Sequence, residues 1–135
     1  MDDLLRKKIS VLVHLACVDD HLDIKEKAFI YNVCLRNGVP LDEIGDLIEK
    51  PDAIQLPGEL DHESRKDYME SCLHLMLVDG RVLPKEINFC NEMGEMLGFQ
   101  KEAVVEMVNQ IDGNRSYTEE EIIEMVARLP LQSQI

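Results

Sequence analysis

The sequence predicts an all-α protein, and three observations support this fold class. Apolar residues recur at helical spacing along most of the 135 residues, and no segment alternates apolar and polar residues long enough to indicate a strand. Start and stop signals divide this pattern into about seven helices. Residues 4–50 and 61–111 also align with each other at an offset of 60 without a gap. We therefore expect two three-helix repeats followed by a C-terminal helix.

The internal alignment is strongest around residues 18–26 and 78–86. Both segments begin with Val-Asp, carry an aliphatic residue three positions after the Asp, and end in Lys-Glu. A three-helix unit of this size cannot bury both faces of its central helix, so we expect the copies to pack about a pseudo-two-fold axis. The identical pairs at this offset are His14 and His74, Leu15 and Leu75, Val18 and Val78, Asp19 and Asp79, Lys25 and Lys85, Glu26 and Glu86, Phe29 and Phe89, and Gly38 and Gly98.

The first repeat has a recognisable signal at each helix boundary. Residues 4–18 are apolar on nearly every helical face, which is typical of a buried central helix. Residues 51–60 contain two prolines and a glycine without periodicity, and they form the predicted connector between the repeats. The second helix starts at a capping box formed by Asp23 and Glu26 and stops at Gly38. The third helix starts at Pro40 and stops at Pro51.

The second repeat follows the same plan and leads into the last helix. Its central helix starts near Asp61 or His62 and becomes apolar on all faces by Val78. The fifth helix is predicted from Pro84 in its first turn and Gly98 at its end, and the sixth from apolar positions between Val104 and Ile111. A capping box formed by Thr118 and Glu121 starts the predicted seventh helix, over about 118–129.

Composition predicts one domain over residues 1–135 and excludes several classes of function. With 45% apolar residues the chain can bury a substantial core. It has 14 Lys and Arg residues but 27 Asp and Glu residues, and the resulting net charge of −13 argues against binding a nucleic-acid backbone. An acidic surface favours cations or basic protein partners instead. We expect a protein partner or a homo-oligomer.

The sequence has no feature of a membrane or secreted protein. Its longest apolar runs, near residues 11–18 and 72–78, are far shorter than the roughly 20 residues of a membrane span. The N-terminus begins with acidic residues, unlike a secretory signal, so we expect a cytoplasmic protein. Four cysteines lie within apolar helical patterns without disulfide spacing, and we expect buried thiols at Cys17, Cys34, Cys72 and Cys90.

The repeated acidic residues are the candidate site. Asp19, Glu26, Asp79 and Glu86 would supply four carboxylates, the ligands that hard divalent cations such as calcium and magnesium prefer. The glutamates also stand where a carboxylate caps a helix N-terminus, so capping alone is an equal alternative for them. The aspartates follow predicted helix C-termini, where the dipole disfavours an anion, although Asp is also a common turn residue.

Two other metal sites are weaker hypotheses. Residues 79–86 match the second half of an EF-hand loop, but the two earlier ligand positions fall on Leu75 and Leu77, which excludes a standard EF-hand. A zinc site made by His14, Cys17, Cys72 and His74 lacks a known ligand spacing, and histidines on apolar helices are more often core residues.

The doubled pattern of an apolar helix, Asp-Gly-x-aliphatic-x-x-x-Glu, a second helix and Gly resembles the TerB-like domains. The resemblance covers about residues 4–128 and implies an all-helical fold with a metal-binding acidic cluster. That cluster would comprise Asp79 and Glu86 in the second repeat and Asp19 and Glu26 in the first. Asp20 stands where the pattern prefers Gly. Asp20 and Asp23 would add further carboxylates to this side of the site.

Two functional hypotheses follow. The first is a TerB-like domain that binds a divalent cation, calcium or magnesium rather than zinc, in a stress-response or signalling context. The second is a metal-free acidic module that binds a basic protein or a second copy, its carboxylates serving as caps and solvated charge. The sequence offers no phosphate loop and no serine beside an acid-base pair, so we do not expect an enzyme.

Overall fold

Seven α-helices lie within the residues that the computed structural model describes, which are 3–18, 24–54, 61–78, 82–112 and 114–132. Over these ranges no residue belongs to a β-strand, and extended pairing is limited to one isolated bridge between Phe99 and Leu131. The all-α prediction is confirmed. The helices are α1 (Asp3–Ala16), α2 (Ile24–Arg36), α3 (Leu41–Glu49), α4 (His62–Leu77), α5 (Pro84–Met96), α6 (Lys101–Asn109) and α7 (Glu119–Ala127).

The bounds of the helices follow the offset seen in the sequence. Helices α2 and α3 span Ile24–Arg36 and Leu41–Glu49, and α5 and α6 span Pro84–Met96 and Lys101–Asn109, so that all four ends are displaced by 60 positions. The turn after α2 contains Gly38 at φ 78°, and the turn after α5 contains Gly98 at φ 90°. Glycine adopts this left-handed conformation without steric cost, which explains why both helices stop there.

Helices α1 and α4 form the centre of the core, as the sequence predicted. α1 packs against α2, α3 and α4, while α4 also packs against α5 and α7. Across the α1–α4 contact, the Tyr68 hydroxyl donates to the Leu4 carbonyl at 3.2 Å, and Lys8 Nζ lies 2.7 Å from Asp67 Oδ2. The fully buried side chains of these two helices include Ile9, Val13, Leu15, Met69, Cys72, Leu73, Leu75 and Met76.

Side-chain caps place the starts of α4 and α7 where the sequence predicted them. Asp61 Oδ1 accepts from the Ser64 N–H at 2.7 Å, and this bond lowers the pKa of the Asp61 carboxyl. At α7 the Thr118 hydroxyl accepts from the Glu121 N–H, and the Glu121 carboxylate accepts from the Thr118 N–H, both at 3.1 Å. These bonds satisfy backbone donors that a helix start leaves without intrahelical partners.

A short extended segment after α7 joins the C-terminal end of the chain to the α5–α6 turn, and we call residues 130–132 the strap. The Gln132 N–H donates to Gly98 O at 2.7 Å, and the Gln100 N–H donates to Pro130 O at 2.9 Å. The Gln132 side-chain amide donates to Phe99 O at 3.1 Å and to Glu95 O at 3.3 Å. The strap therefore covers carbonyl groups at the C-terminal end of α5.

The described part of the predicted connector, residues 51–54, runs along α1. Arg6 Nε donates to Asp52 Oδ2 at 2.6 Å, and His14 Nε2 lies 2.8 Å from Asp52 O. The Arg6 guanidinium holds the pKa of the Asp52 carboxyl below its usual range. The remainder of the connector, residues 55–60, lies outside the described residues.

The prediction of four buried thiols is correct for three cysteines and wrong for one. Cys34, Cys72 and Cys90 are buried, and the four cysteines form no disulfide. Cys17 is exposed because α1 ends at Ala16 and the following turn carries Cys17 out of the packed helical face. Burial raises the pKa of Cys34 to about 11 and that of Cys72 to about 12, so these thiols stay protonated at neutral pH.

Candidate metal site

The six predicted ligands divide into two described glutamates and four aspartates whose placement is outside the described residues. The glutamates are Glu26, in the first turn of α2, and Glu86, in the first turn of α5. Each has a relative exposure of only 3%. The aspartates outside the described residues are Asp19, Asp20, Asp23 and Asp79.

Glu86 has a defined role at the start of α5. Its Oε1 accepts from the Leu83 N–H at 3.1 Å, which caps one backbone donor of the helix. Leu83 occupies the N-cap position and has no side-chain acceptor, so only the glutamate half of a capping box exists here. Pro84 occupies the next position, where its missing N–H leaves no donor unsatisfied. Glu86 therefore caps the start of α5, and whether capping is its only role stays a prediction.

Glu26 is placed at the corresponding point of α2. It lies in the first turn, is as deeply buried as Glu86, and precedes the core residues Ile30, Val33 and Cys34. The capping box that the sequence predicts for this helix pairs Glu26 with Asp23, which lies outside the described residues. Glutamate is almost never this buried unless a partner compensates for the lost hydration.

One ring contact positions the start of α2 relative to α4. Phe29 stacks on His74, with ring centroids 6.1 Å apart and 23° between the ring planes. Phe29 is one helical turn after Glu26, and His74 is one turn before Val78 at the C-cap of α4. Because one turn spans about 5 Å, Glu26 and Val78 each lie about 5 Å along their helices from this ring contact.

The alternative zinc ligands do not assemble. No three histidine, cysteine, aspartate or glutamate side chains among the described residues form a group that could hold a metal ion. His14 is hydrogen-bonded to the 51–54 segment, whereas His74 stacks on Phe29. Among the described residues, the set His14, Cys17, Cys72 and His74 is therefore excluded as a zinc site.

A second site was not predicted from the sequence. A cavity of about 340 Å³ lies between α6, α7 and the segment that joins them, and Arg115, Tyr117 and Arg128 line it together with apolar side chains. Arg115 and Tyr117 are two residues apart in a polar turn, so their spacing alone indicated only a loop. The cavity depends on how α7 packs beside α6, and no local sequence motif predicts that packing.

Comparison with protein-family models, curated proteins and solved structures finds no match for this chain. Among the described residues no helix is both long and apolar enough to cross a membrane.

Proposed function

We propose that this protein is a TerB-like domain that binds one divalent cation, calcium or magnesium, through the carboxylates of Asp19, Glu26, Asp79 and Glu86. The observation that carries the proposal is the matched burial of Glu26 and Glu86, each 3% exposed in the first turn of a helix and each the last residue of the repeated motif. A carboxylate held out of water is costly unless hydrogen bonds or a cation compensate for its charge.

The capping bond of Glu86 is compatible with this function. A carboxylate has two oxygens and about four acceptor positions, so one N–H donor at Oε1 does not exhaust its capacity. Hard cations are commonly held by several oxygens from separate chain segments, and carboxylates suit them better than thiols or imidazoles. The proposed ligands fit this chemistry, since they are all carboxylates from two separate parts of the chain.

The proposal includes a pseudo-two-fold arrangement of two three-helix repeats. It is supported by the common offset of α2 and α5 and of α3 and α6, by the matching left-handed glycines, and by the direct packing of α1 on α4. The Phe29 and His74 contact supports a common location for the two acidic segments, because it puts the start of α2 beside the end of α4. The proposal requires that all four carboxylates reach one ion in this arrangement.

Calorimetric titration tests the cation site. We expect calcium or magnesium to release or absorb heat and to raise the melting temperature of the wild type, because an ion that binds only the folded state stabilises it. Asp79→Asn should abolish both effects. Glu102→Gln, an exposed carboxylate on α6, is the matched control and should retain them. A wild type without heat or a thermal shift for any divalent cation would contradict the proposal.

A second candidate function, a metal-free interaction module, is favoured by the exposed turn after α2. Leu35 and Leu41 flank this turn and are 48% and 63% exposed. The corresponding turn after α5 is covered by the strap, whose Pro130 carbonyl accepts from the Gln100 N–H. Pro40 corresponds to Gln100 at the offset of 60 and has no N–H that could donate to the strap. The turn after α2 is therefore an apolar surface that the strap does not cover.

Sedimentation of the metal-free protein distinguishes the two functions. Self-association that persists in chelator and is lost in Leu41→Glu would support the interaction module, because a charge on the exposed apolar surface opposes its burial. Self-association that requires calcium or magnesium would support the cation site instead. Ile123→Glu, a change of the same kind on α7, is the control for adding a charge to an exposed apolar position.

A further inference from the structure

The cavity between α6 and α7 combines apolar walls with cationic side chains. The apolar surface is provided by Ala103 and Met107 of α6, by Met125 of α7 and by Leu129, which follows α7. Its volume of about 340 Å³ lies at the lower end of the range, roughly 300–1,000 Å³, that is usual for small-molecule sites. Methionine side chains are flexible and polarisable, so they adapt to apolar ligands of different shape.

One of the arginines in this cavity is held in place by its own contacts. The Arg115 guanidinium carbon lies 4.4 Å from the centroid of the Tyr117 ring, and Arg115 also forms an ion pair with Glu121. The Tyr117 hydroxyl in turn accepts from the Asp112 N–H at 2.9 Å. These contacts fix the cationic rim at the turn between α6 and α7.

Arg128 differs from Arg115 because it forms no ion pair with any described residue. Among the described residues no carboxylate lies within ion-pair distance of Arg128, although the chain carries 27 acidic residues. A guanidinium presents a planar fork of donors that binds a carboxylate with two parallel hydrogen bonds. Arg128 is therefore available to an anionic group at the mouth of an apolar cavity.

The corresponding face of α3 shows that this combination is not a general property of the fold. A second cavity there, of about 490 Å³, is lined by Glu43, Asp46, Leu47 and Lys50, which precede Ala103, Glu106, Met107 and Gln110 by 60 positions. Glu49 adds a third acid to its walls, against the cations Lys50 and Arg6, and Arg6 is already paired with Asp52 at 2.6 Å. An anion would meet repulsion there.

We propose that the cavity between α6 and α7 binds a small monocarboxylate with an apolar body, whose carboxylate pairs with Arg128 and whose apolar part packs against Met107, Met125 and Leu129. Glu106 also lines the cavity and limits the ligand to a single negative charge, because it would repel a second carboxylate on the ligand. The proposal does not depend on the cation site, which involves other helices.

Nuclear magnetic resonance with labelled methionine methyl groups tests the proposal, with octanoate as the probe. We expect saturable shifts of the Met107 and Met125 methyl signals and none at the core residue Met69. Octan-1-ol and octylammonium should bind at least about tenfold more weakly, since they cannot form the charged hydrogen bonds that each contribute a factor of this order. Equal binding of octanol, or no saturable shift with octanoate, would overturn the proposal.

Two variants make the test specific. Arg128→Gln should weaken octanoate binding about tenfold, whereas Lys50→Gln, at the corresponding cavity of α3, should leave it unchanged. Glu106→Gln should tighten binding, because it removes a like charge from the wall. A gain of affinity cannot result from misfolding, so this variant remains informative if Arg128→Gln is unstable. Unchanged affinity in both Arg128→Gln and Glu106→Gln would contradict the assigned orientation of the ligand.

Discussion

Phe29 stacks on His74 at a ring-centroid distance of 6.1 Å, and this contact joins the start of α2 to the end of α4. It is one turn from the buried Glu26 and one turn from the C-cap at Val78. Phe29 and His74 line a cavity that is also lined by Arg36 of α2 and Glu119 of α7. A partly buried histidine thus lies where three helices meet, beside the end of the molecule that carries one proposed ligand.

We predict that stability depends on pH through His74. Burial lowers the pKa of His74 below the ordinary value of 6.5, Glu119 opposes this shift, and Arg36 adds to it. The unfolded chain then binds the proton more readily than the folded protein, so the free energy of unfolding should fall as pH drops through about 6.5. The loss should level off below the folded-state pKa. Denaturant titrations between pH 7.5 and about 5 measure it.

The control for this prediction removes a histidine from an exposed position. His74→Gln should flatten the pH dependence in this window, whereas His62→Gln, at the exposed start of α4, should leave the wild-type slope. An unchanged slope in His74→Gln would assign the pH dependence to other groups. The titratable or charged groups that share the cavity with His74 are Lys8, Arg36, Asp67, Glu70 and Glu119.

Two glycine substitutions test the packing of α5 on α6. A Cβ at Gly94 would lie 2.6 Å from Val104 Cγ1, and Val104 is fully buried and stiff at its branched β-carbon. Gly94→Ala should therefore lower the free energy of unfolding by about 1–3 kcal/mol. At Gly45 of α3 the nearest atom to an added Cβ is Tyr31 Oη at 3.9 Å. Gly45→Ala should raise stability by about 0.5–1 kcal/mol, because alanine favours a helix. Equal effects would show that the close approach at Gly94 is not the cause.

The strap gives a further prediction about stability. Gln132→Ala removes the two side-chain bonds to Phe99 O and Glu95 O and leaves the backbone bond to Gly98 O. We expect a loss of about 1 kcal/mol and faster hydrogen exchange at the Gln100 amide. Gln110→Ala, at the exposed end of α6, is the control and should change neither. Slow exchange at Gln100 in Gln132→Ala would show that the backbone bonds alone hold the strap.

The sequence predicted the helices well because their boundaries are local. Asp61, Thr118 and Pro84 mark helix starts by satisfying or omitting backbone donors within one turn, and Gly38 and Gly98 end helices by adopting positive φ. Each signal is complete within a few residues. The expected burial of the two central helices also follows from their apolar faces.

The features that the sequence did not predict depend on contacts between distant segments. The strap joins Gln132 to Gly98, and the apolar cavity exists only because α7 lies beside α6. The exposure of Cys17 depends on the end of α1 falling at Ala16, one residue earlier in the chain. Of the candidate site, Glu26 and Glu86 are buried at helix starts, whereas convergence of the acidic segments stays a prediction.

The most direct test of the shared cation site is a double-mutant cycle on Asp19 and Asp79, measured by thermal unfolding without and with calcium or magnesium. If both carboxylates face one site, Asp19→Asn and Asp79→Asn should each stabilise the metal-free protein, because like charges held close repel. Their effects should depart from additivity by more than about 0.5 kcal/mol, and either variant should lose the stabilisation by the cation. Additive effects within that limit, with cation stabilisation retained in either single variant, would contradict the shared site.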